Sequence, residues 1–220
     1  MSRIEIVPYE PKYRDAVRRC VFETGWGGES VAPFFPDLEM FADMLVLYYT
    51  DHASDYSYIP LVDGEPAGYL LGEPDTEKYN RTMKNEIFPR ILKNLMHGRY
   101  RPGRTGIRYL ARGLRQELSG ENTTPPLDMF PAHLHIDLFA PYRRFGLGTR
   151  LINHYLEALR ALGTPGLHLG SSTSHTEALP FYEKLGFRRF AVRRAPVSYF
   201  FESDQSDFYG VWYVKSLVQP

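Results

Sequence analysis

An α/β fold is predicted for this chain: a mixed, mostly antiparallel sheet flanked by helices, with one parallel strand pairing. Three stretches carry that expectation. His133 to Phe139 alternates, with His133, His135 and Asp137 on one face and Leu134, Ile136 and Leu138 on the other, the period-2 pattern of a strand between two environments. Beyond it, Leu147, Leu151, Tyr155, Leu159 and Leu162 recur at helical spacing, with Ile152 and Leu156 alongside. Tyr56 to Leu71 reads as a hairpin, because Asp63-Gly64 separates two apolar runs. A strand, a helix and the short strand Leu167–Leu169 in succession give parallel pairing around 133–171. The hairpins at either end of the chain are antiparallel.

The elements follow in order. Ile4–Pro8 is a first strand. A helix runs from Pro11 to about Phe22, with Pro11 in its first turn and Ala16, Val17, Cys20 and Val21 along one side. Residues 23–30 contain three glycines and Trp26; this loop is either a wall of a ligand pocket or a plain connector. Asp37 caps a second helix reaching Tyr49, with Leu38, Phe41, Leu45 and Tyr48 as its buried stripe. Residues 73–131 form a mainly helical insertion. Thr76–His97 is helical with a kink or break at Pro89, and Ile107–Leu118 is a further helix. Near the end, a strand closes at Ala191–Arg194, Ser203–Asp207 is a polar turn, and Phe208–Ser216 is the last strand.

Composition narrows the class. The 220 residues are 43% hydrophobic and 24% charged, which describes a soluble globular chain, read as one domain over 1–220. Lys+Arg and Asp+Glu are both 26, so no net charge draws the chain to nucleic acid or acidic lipid. Its single cysteine, Cys20, excludes an internal disulfide framework and is read as a buried, inert thiol. No leader or membrane-spanning run is seen, so a cytoplasmic location without membrane partners is expected. No metal is expected.

The stretch Arg143-Arg144-Phe145-Gly146-Leu147-Gly148 joins strand to helix. Its glycines let the backbone approach a ligand, and the first helical turn offers unpaired N–H groups and the positive end of a dipole, a phosphate site. A Walker loop is excluded because Gly-Lys-Ser/Thr is missing. A dinucleotide fingerprint is excluded because Leu151 stands where its third glycine belongs.

The Arg-x-x-Gly-x-Gly pattern resembles the acetyl-CoA pyrophosphate loop of the GCN5-related N-acetyltransferases (GNAT). A second match follows at the family's distance, in Ala178-Leu179-Pro180-Phe181-Tyr182-Glu183-Lys184-Leu185-Gly186-Phe187. Together the two motifs cover residues 132–194. The opening IEIVPYEPKYRDAV, the hairpin and GYLLGEPDTEKYNRTMKNEIFP are further similar to the acetyltransferase-like domain at the C-terminus of animal O-GlcNAc hydrolases and to its bacterial relatives. Glycosidase activity does not carry over, since no hydrolase domain is seen in this chain.

The resemblance implies a GNAT-like sheet whose two parallel strands splay apart to admit the pantetheine arm. It implies acetyl-CoA as cofactor and a primary amine of a small molecule or peptide as acceptor. The expected cofactor contacts are Leu138, Phe139, Ala140, Arg143, Arg144, Phe145, Gly146, Leu147, Gly148, Thr149, Ser174 and Tyr182. A backbone N–H near Leu138 or Phe139 is expected to polarise the thioester carbonyl. Tyr182 is expected to protonate the departing sulfur; free tyrosine and thiol differ by about 2 kcal/mol in proton affinity, a tolerable uphill step. Asp137 is the first choice for the acceptor side, with His135 or His175 as a second base. Ser174 with Glu177 fits a capping box that puts His175 at the first helical position. Arg144 stands where the family often has glycine, and Pro180 requires its helix to start late or kink.

Arg101, Arg104, Arg108, Arg112 and Arg115 recur at helical spacing within 87–116, a stretch with eight basic residues and no acidic one. This stripe is a solvated helix face, a dock for an acidic acceptor, or a partner for the CoA ribose 3′-phosphate. Two functions stay open: an acetyl-CoA-dependent N-acetyltransferase, and a non-catalytic CoA-binding module that keeps the loop without acceptor chemistry.

Overall fold

Both turn residues of the first hairpin, Asp63 and Gly64, have positive φ (53° and 88°). That two-residue turn matches the right-handed twist of its strands. In the computed structural model, which describes residues 3–118, 124–173, 175–194 and 209–218, the hairpin sets the order of half the sheet. Strand β1 (Ile4–Pro8) pairs antiparallel with β2 (Ser57–Val62). The return arm is split into a short β3 (Glu65–Pro66) and β4 (Gly68–Glu73), both antiparallel to β2. Next comes β5 (Ala132–Leu138), antiparallel to β4 from Gly68↔Leu138 to Glu73↔His133. Strand β6 (Gly166–Ser172) runs parallel to β5 but pairs with it at only Ala132↔Leu167 and His133↔His168. Beyond β7 (Arg188–Arg194), the last strand β8 (Tyr209–Ser216) slots between β6 and β7, antiparallel to both. The mixed, mostly antiparallel sheet expected from the sequence is therefore present. The expected turn at Ser203–Asp207 lies outside the described residues.

Helices cover both faces. On one side α1 (Arg14–Thr24) and α2 (Leu38–Leu45) pack with Phe35, Tyr69 and Leu71. The insertion adds α3 (Thr76–Thr82), α4 (Phe88–Met96) and α5 (Gly103–Leu118), of which α4 contributes Ile91 to the same core. On the other side α6 (Leu147–Ala161) and α7 (Ala178–Lys184) bury Leu151, Tyr155, Leu159 and Tyr182 against Leu134, Leu167 and Leu169. Tyr155 reaches across to donate to the His133 carbonyl at 3.0 Å. Gly72 makes that possible, because a Cβ there would meet the Tyr155 ring at 2.5 Å.

Two helices differ from expectation for physical reasons. The helix capped by Asp37, whose side chain accepts from the Met40 N–H at 2.9 Å, ends at Leu45 and gives way to a π-type turn over Tyr48–His52. That turn lets Tyr48 bond Glu73 and Tyr49 bond His133, both buried partners on the sheet. At Pro89 the chain neither breaks nor unravels. A π-type turn over Met83–Ile87 precedes α4, and Pro89 falls in the first turn, where a missing N–H is tolerated.

His133 is buried at 9% exposure and fully bonded. Thr76 donates its hydroxyl to the Pro131 carbonyl (2.6 Å), so its oxygen accepts from His133 Nδ1–H (2.7 Å), and Nε2 accepts from Tyr49 (2.7 Å). Burial, followed by the charges of His168 and His135, pushes its pKa down to about 3. This histidine is a neutral core group and not a base for catalysis.

Unfolded, His133 titrates near 6.5; folded, near 3. In between, the unfolded chain binds more protons, so stability is lost as pH falls through this window, by up to about 1.4 kcal/mol per pH unit for one histidine. His168, also pushed down by burial, acts in the same direction. Urea denaturation between pH 7 and 4 should show this slope, and His133→Gln should be less stable at pH 7 but shallower; parallel slopes would contradict the assignment.

Candidate active site

Because β5 and β6 stay paired for only two residues, they diverge toward their C-terminal ends. The opening between them is a cleft of about 960 Å³ that continues into a recess of about 200 Å³. One wall of the cleft is the loop and first turn of α6: Arg143, Arg144, Gly146, Leu147, Gly148 and Thr149. Opposite stand Ala178, Phe181 and Tyr182 of α7, with Thr176 and Glu177 before them. Ile136, Asp137 and Leu138 form the β5 side, and Ala140 the rim. The recess goes inward between Val21, Leu45, His135, Gly170, Ser171 and Ser172.

The α6 terminus is built to meet an anion. Gly146 precedes it in the left-handed region (φ 74°), and the first helical bond runs from Arg150 N–H to Gly146 O at 3.1 Å. Among the described residues, the N–H groups of Leu147, Gly148 and Thr149 have no protein acceptor. Arg144 is also left-handed (φ 67°), an unfavourable conformation for a side-chain-bearing residue. Its guanidinium pairs with exposed Glu177 across the cleft mouth.

Arg143 does something the charge pattern did not announce. Its Nε donates to Leu138 O (3.0 Å) and its Nη2 to Gly28 O (2.9 Å). It ties the end of β5 to the glycine-rich loop, which closes on itself through Trp26 and Glu29 and presents Gly27 and Gly28 to the cleft. Gly27 N–H donates to His175 Nε2 at 3.2 Å.

Four residues line both cleft and recess: Ile136, Asp137, His175 and Tyr182. Tyr182 is 7% exposed and packs against Phe181, Phe187 and Tyr213. Its hydroxyl has no hydrogen-bond partner among the described residues. Burial, then the Asp137 charge, pushes its phenol well up, so it holds its proton at neutral pH. Burial lowers the His175 pKa while Asp137 partly restores it, so the ring is a neutral imidazole near pH 7. Asp137 accepts from the Tyr69 hydroxyl at 2.8 Å. His135 lies on the recess side, half exposed, 3.0 Å from that same hydroxyl.

Several sequence expectations need correction. Phe139 does not reach the cleft: its N–H donates to Ala67 O (3.0 Å) and its ring sits in the core under the Arg19 guanidinium. The ladder alternates, so with Phe139 bonded to β4, the Leu138 N–H turns away from β4 toward the gap. Phe145 is 64% exposed and lines neither cavity. His175 is not the first helical residue, since α7 starts at Ala178, three residues later and two before Pro180; Ser174 lies outside the described residues. The arginine stripe at 101–115 lines neither cavity. Tyr69, Ile136 and Phe181 were missed. Only the hairpin's register against β5 places Tyr69 opposite Asp137.

Diverging strands, a helix start with unpaired N–H groups and titratable side chains meet at one junction, an arrangement that can accommodate an elongated, anionic ligand. Residues 125–187 match the sequence model of the acetyltransferase (GNAT) family. A 56-residue segment is 43% identical to N-alpha-acetyltransferase 50 of Danio rerio, covering 25% of this chain and 33% of that protein, so the match spans about a third of the relative's length. The crystal structure of SsHAT matches 98% of this chain and 99% of its own, with TM-score 0.72 and 25% identity. A putative acetyltransferase of Salmonella typhimurium, solved with its cofactor acetyl-CoA, has the same fold at TM-score 0.58 and 9% identity, over 99% of this chain and 95% of that one. Residues 125–187 therefore carry the sequence pattern of a GNAT acetyltransferase, on a fold that the whole chain shares with SsHAT. No helix among the described residues is long and apolar enough to cross a membrane.

The His175 assignment is open to a direct check. Its imidazole should titrate below the ordinary 6.5 by NMR, and Asp137→Asn should lower the midpoint further, because the carboxylate raises it. A midpoint that rises or stays fixed in the variant would separate the two side chains.

Proposed function

We propose that this protein transfers the acetyl group of acetyl-CoA to a primary amine of a small molecule or peptide. The observation that carries this reading is the meeting of cleft and recess at Asp137, His175 and Tyr182: a cofactor arm and an acceptor can approach one point from opposite sides. Acetyl-CoA supplies an activated thioester. For its phosphates the chain offers the N–H groups of Leu147, Gly148 and Thr149, with Arg144 available once it leaves Glu177. Between the strands, the Leu138 N–H is the donor aimed at a carbonyl. Asp137 orients an incoming ammonium and takes its proton, with His135 or His175 assisting. Tyr182, protonated and without a competing partner among the described residues, gives its proton to the leaving sulfur. Arg143, engaged with two carbonyls, shapes the loop. We read the whole of 1–220 as one such domain with the insertion at 73–131, and the resemblance of its opening and hairpin to O-GlcNAc hydrolase C-terminal domains as a finer relationship within the family.

Calorimetry with acetyl-CoA should give saturable binding that weakens at least about tenfold, or about 1.4 kcal/mol, when Gly146 and Gly148 are both replaced by valine. A Cβ at Gly148 alone already stands 3.1 Å from the Phe181 ring. Unchanged affinity would remove the loop from the binding site.

Thiol release in the presence of candidate amines tests the chemistry. Tyr182→Phe and Asp137→Asn should each lower kcat by about 10²-fold with acetyl-CoA affinity preserved. Full turnover in Asp137→Asn would move the base elsewhere. Acetyl-CoA binding without transfer to any amine would favour a non-catalytic binding module.

A further inference from the structure

Tyr69 is directly opposite Asp137 in the β4–β5 register, so the two side chains share a face. The tyrosine is fully buried. Its hydroxyl lies 2.8 Å from Asp137 Oδ2 and 3.0 Å from His135 Nδ1. The imidazole stacks on the phenol ring, 5.7 Å between centroids and 12° from parallel. His135 and Asp137 are 3.8 Å apart at these atoms, beyond hydrogen-bond reach, so the phenol is the bridge. A hydroxyl has one proton to give: with Asp137 ionised it donates to Oδ2 and accepts from His135 Nδ1–H.

We propose that Tyr69 is a positioning residue that aligns Asp137 and links it to His135, so that a proton taken from the acceptor amine at Asp137 leaves through His135. This rests on the acetyltransferase reading above. The proton count closes. The ammonium N–H breaks as an Asp137 O–H forms. His135, which rests protonated at Nδ1, gives that proton to water in the recess and takes one from water at Nε2, and the Tyr69 hydroxyl then turns to the freed Nδ1. The Asp137 proton passes to the phenol oxygen as the phenol proton passes to Nδ1. A carboxylate, a phenol and an imidazolium result, and the imidazolium sheds its Nε2 proton from the half-exposed recess side. The geometry suits this direction: Asp137 lines both cavities, whereas His135 lines only the recess.

The other titratable groups facing this trio are Cys20 from α1, Tyr49 from the π-type turn, His133 from β5, Arg143 from the loop, and His175 and Tyr182 across the gap. Burial holds the Cys20 thiol and the Tyr49 and Tyr182 phenols protonated and the two histidines neutral at pH 7. Arg143, permanently charged, is committed to carbonyls. None of them bonds the Tyr69 hydroxyl.

Tyr69→Phe keeps the ring and removes the bridge. Without any acceptor present, ¹⁵N NMR should show neutral His135 as the Nδ1–H tautomer in the wild type and a shift toward Nε2–H in Tyr69→Phe; an unchanged tautomer overturns the bridge. In turnover, Tyr69→Phe should lower kcat at least about tenfold with acetyl-CoA affinity unchanged. His135→Gln should do the same, and the double variant should be no worse than the poorer single one, as for groups acting as a unit. Turnover within about twofold of wild type in either single variant overturns the relay, and His135→Gln decides it if Tyr69→Phe does not fold. If the wild type acetylates no amine, the acetyltransferase reading falls and the relay with it, while the tautomer result still decides whether Tyr69 joins the two side chains.

Discussion

Strands β5 and β6 start as a parallel pair and then part, and most of the site hangs on that divergence. After Ala132↔Leu167 and His133↔His168 they share no further pairing, yet each remains fastened on its far side. Strand β4 holds β5 from His133 to Leu138, and β8 holds β6 from Gly166 to Ser172. Two long antiparallel ladders thus keep a gap open between the facing edges. Backbone polar groups inside a protein are almost always paired. Edges held apart in this way leave donors and acceptors for a chain-like ligand to meet, in the manner of an added strand.

Everything else at the site is arranged around the mouth of that gap. Helix α6 is the next helix after β5, past a short turn over Ala140–Tyr142, and its first residues Leu147, Gly148 and Thr149 line the cleft. Tyr182 crosses from α7 to the same opening, and Arg143 staples the glycine-rich loop over it. Along β5 the burial of one face falls off with distance. His133 is sealed by Tyr49 and Thr76, His135 is half exposed, and Asp137 faces both cavities. Three residues with the same orientation therefore have three fates: core, recess and junction.

The sequence made the local features readable and left the long-range ones hidden. The Asp63-Gly64 turn, the alternation of β5 and the Gly146–Gly148 helix start depend on neighbours in the chain, and their signals are local. The insertion of β8 between β6 and β7 depends on pairing over distances no short window spans. The same limit explains Tyr69, whose partner Asp137 lies 68 residues away. The break after Leu45 follows from hydrogen bonds that Tyr48 and Tyr49 make to the sheet, overriding a helical pattern that runs on to Tyr49. The resemblance put Arg143 among the cofactor contacts; its carbonyl contacts are visible only once the loop at Gly28 is folded beside it.

Amide hydrogen exchange with and without acetyl-CoA addresses the divergence most directly. If the cofactor lies between β5 and β6 with its phosphates on α6, exchange at Leu138, Leu147, Gly148 and Thr149 should slow on binding. Phe139, already bonded to Ala67, should hardly change. Binding that leaves Leu138 and the α6 terminus unprotected, or that protects a different face of the sheet, would contradict a site in this gap.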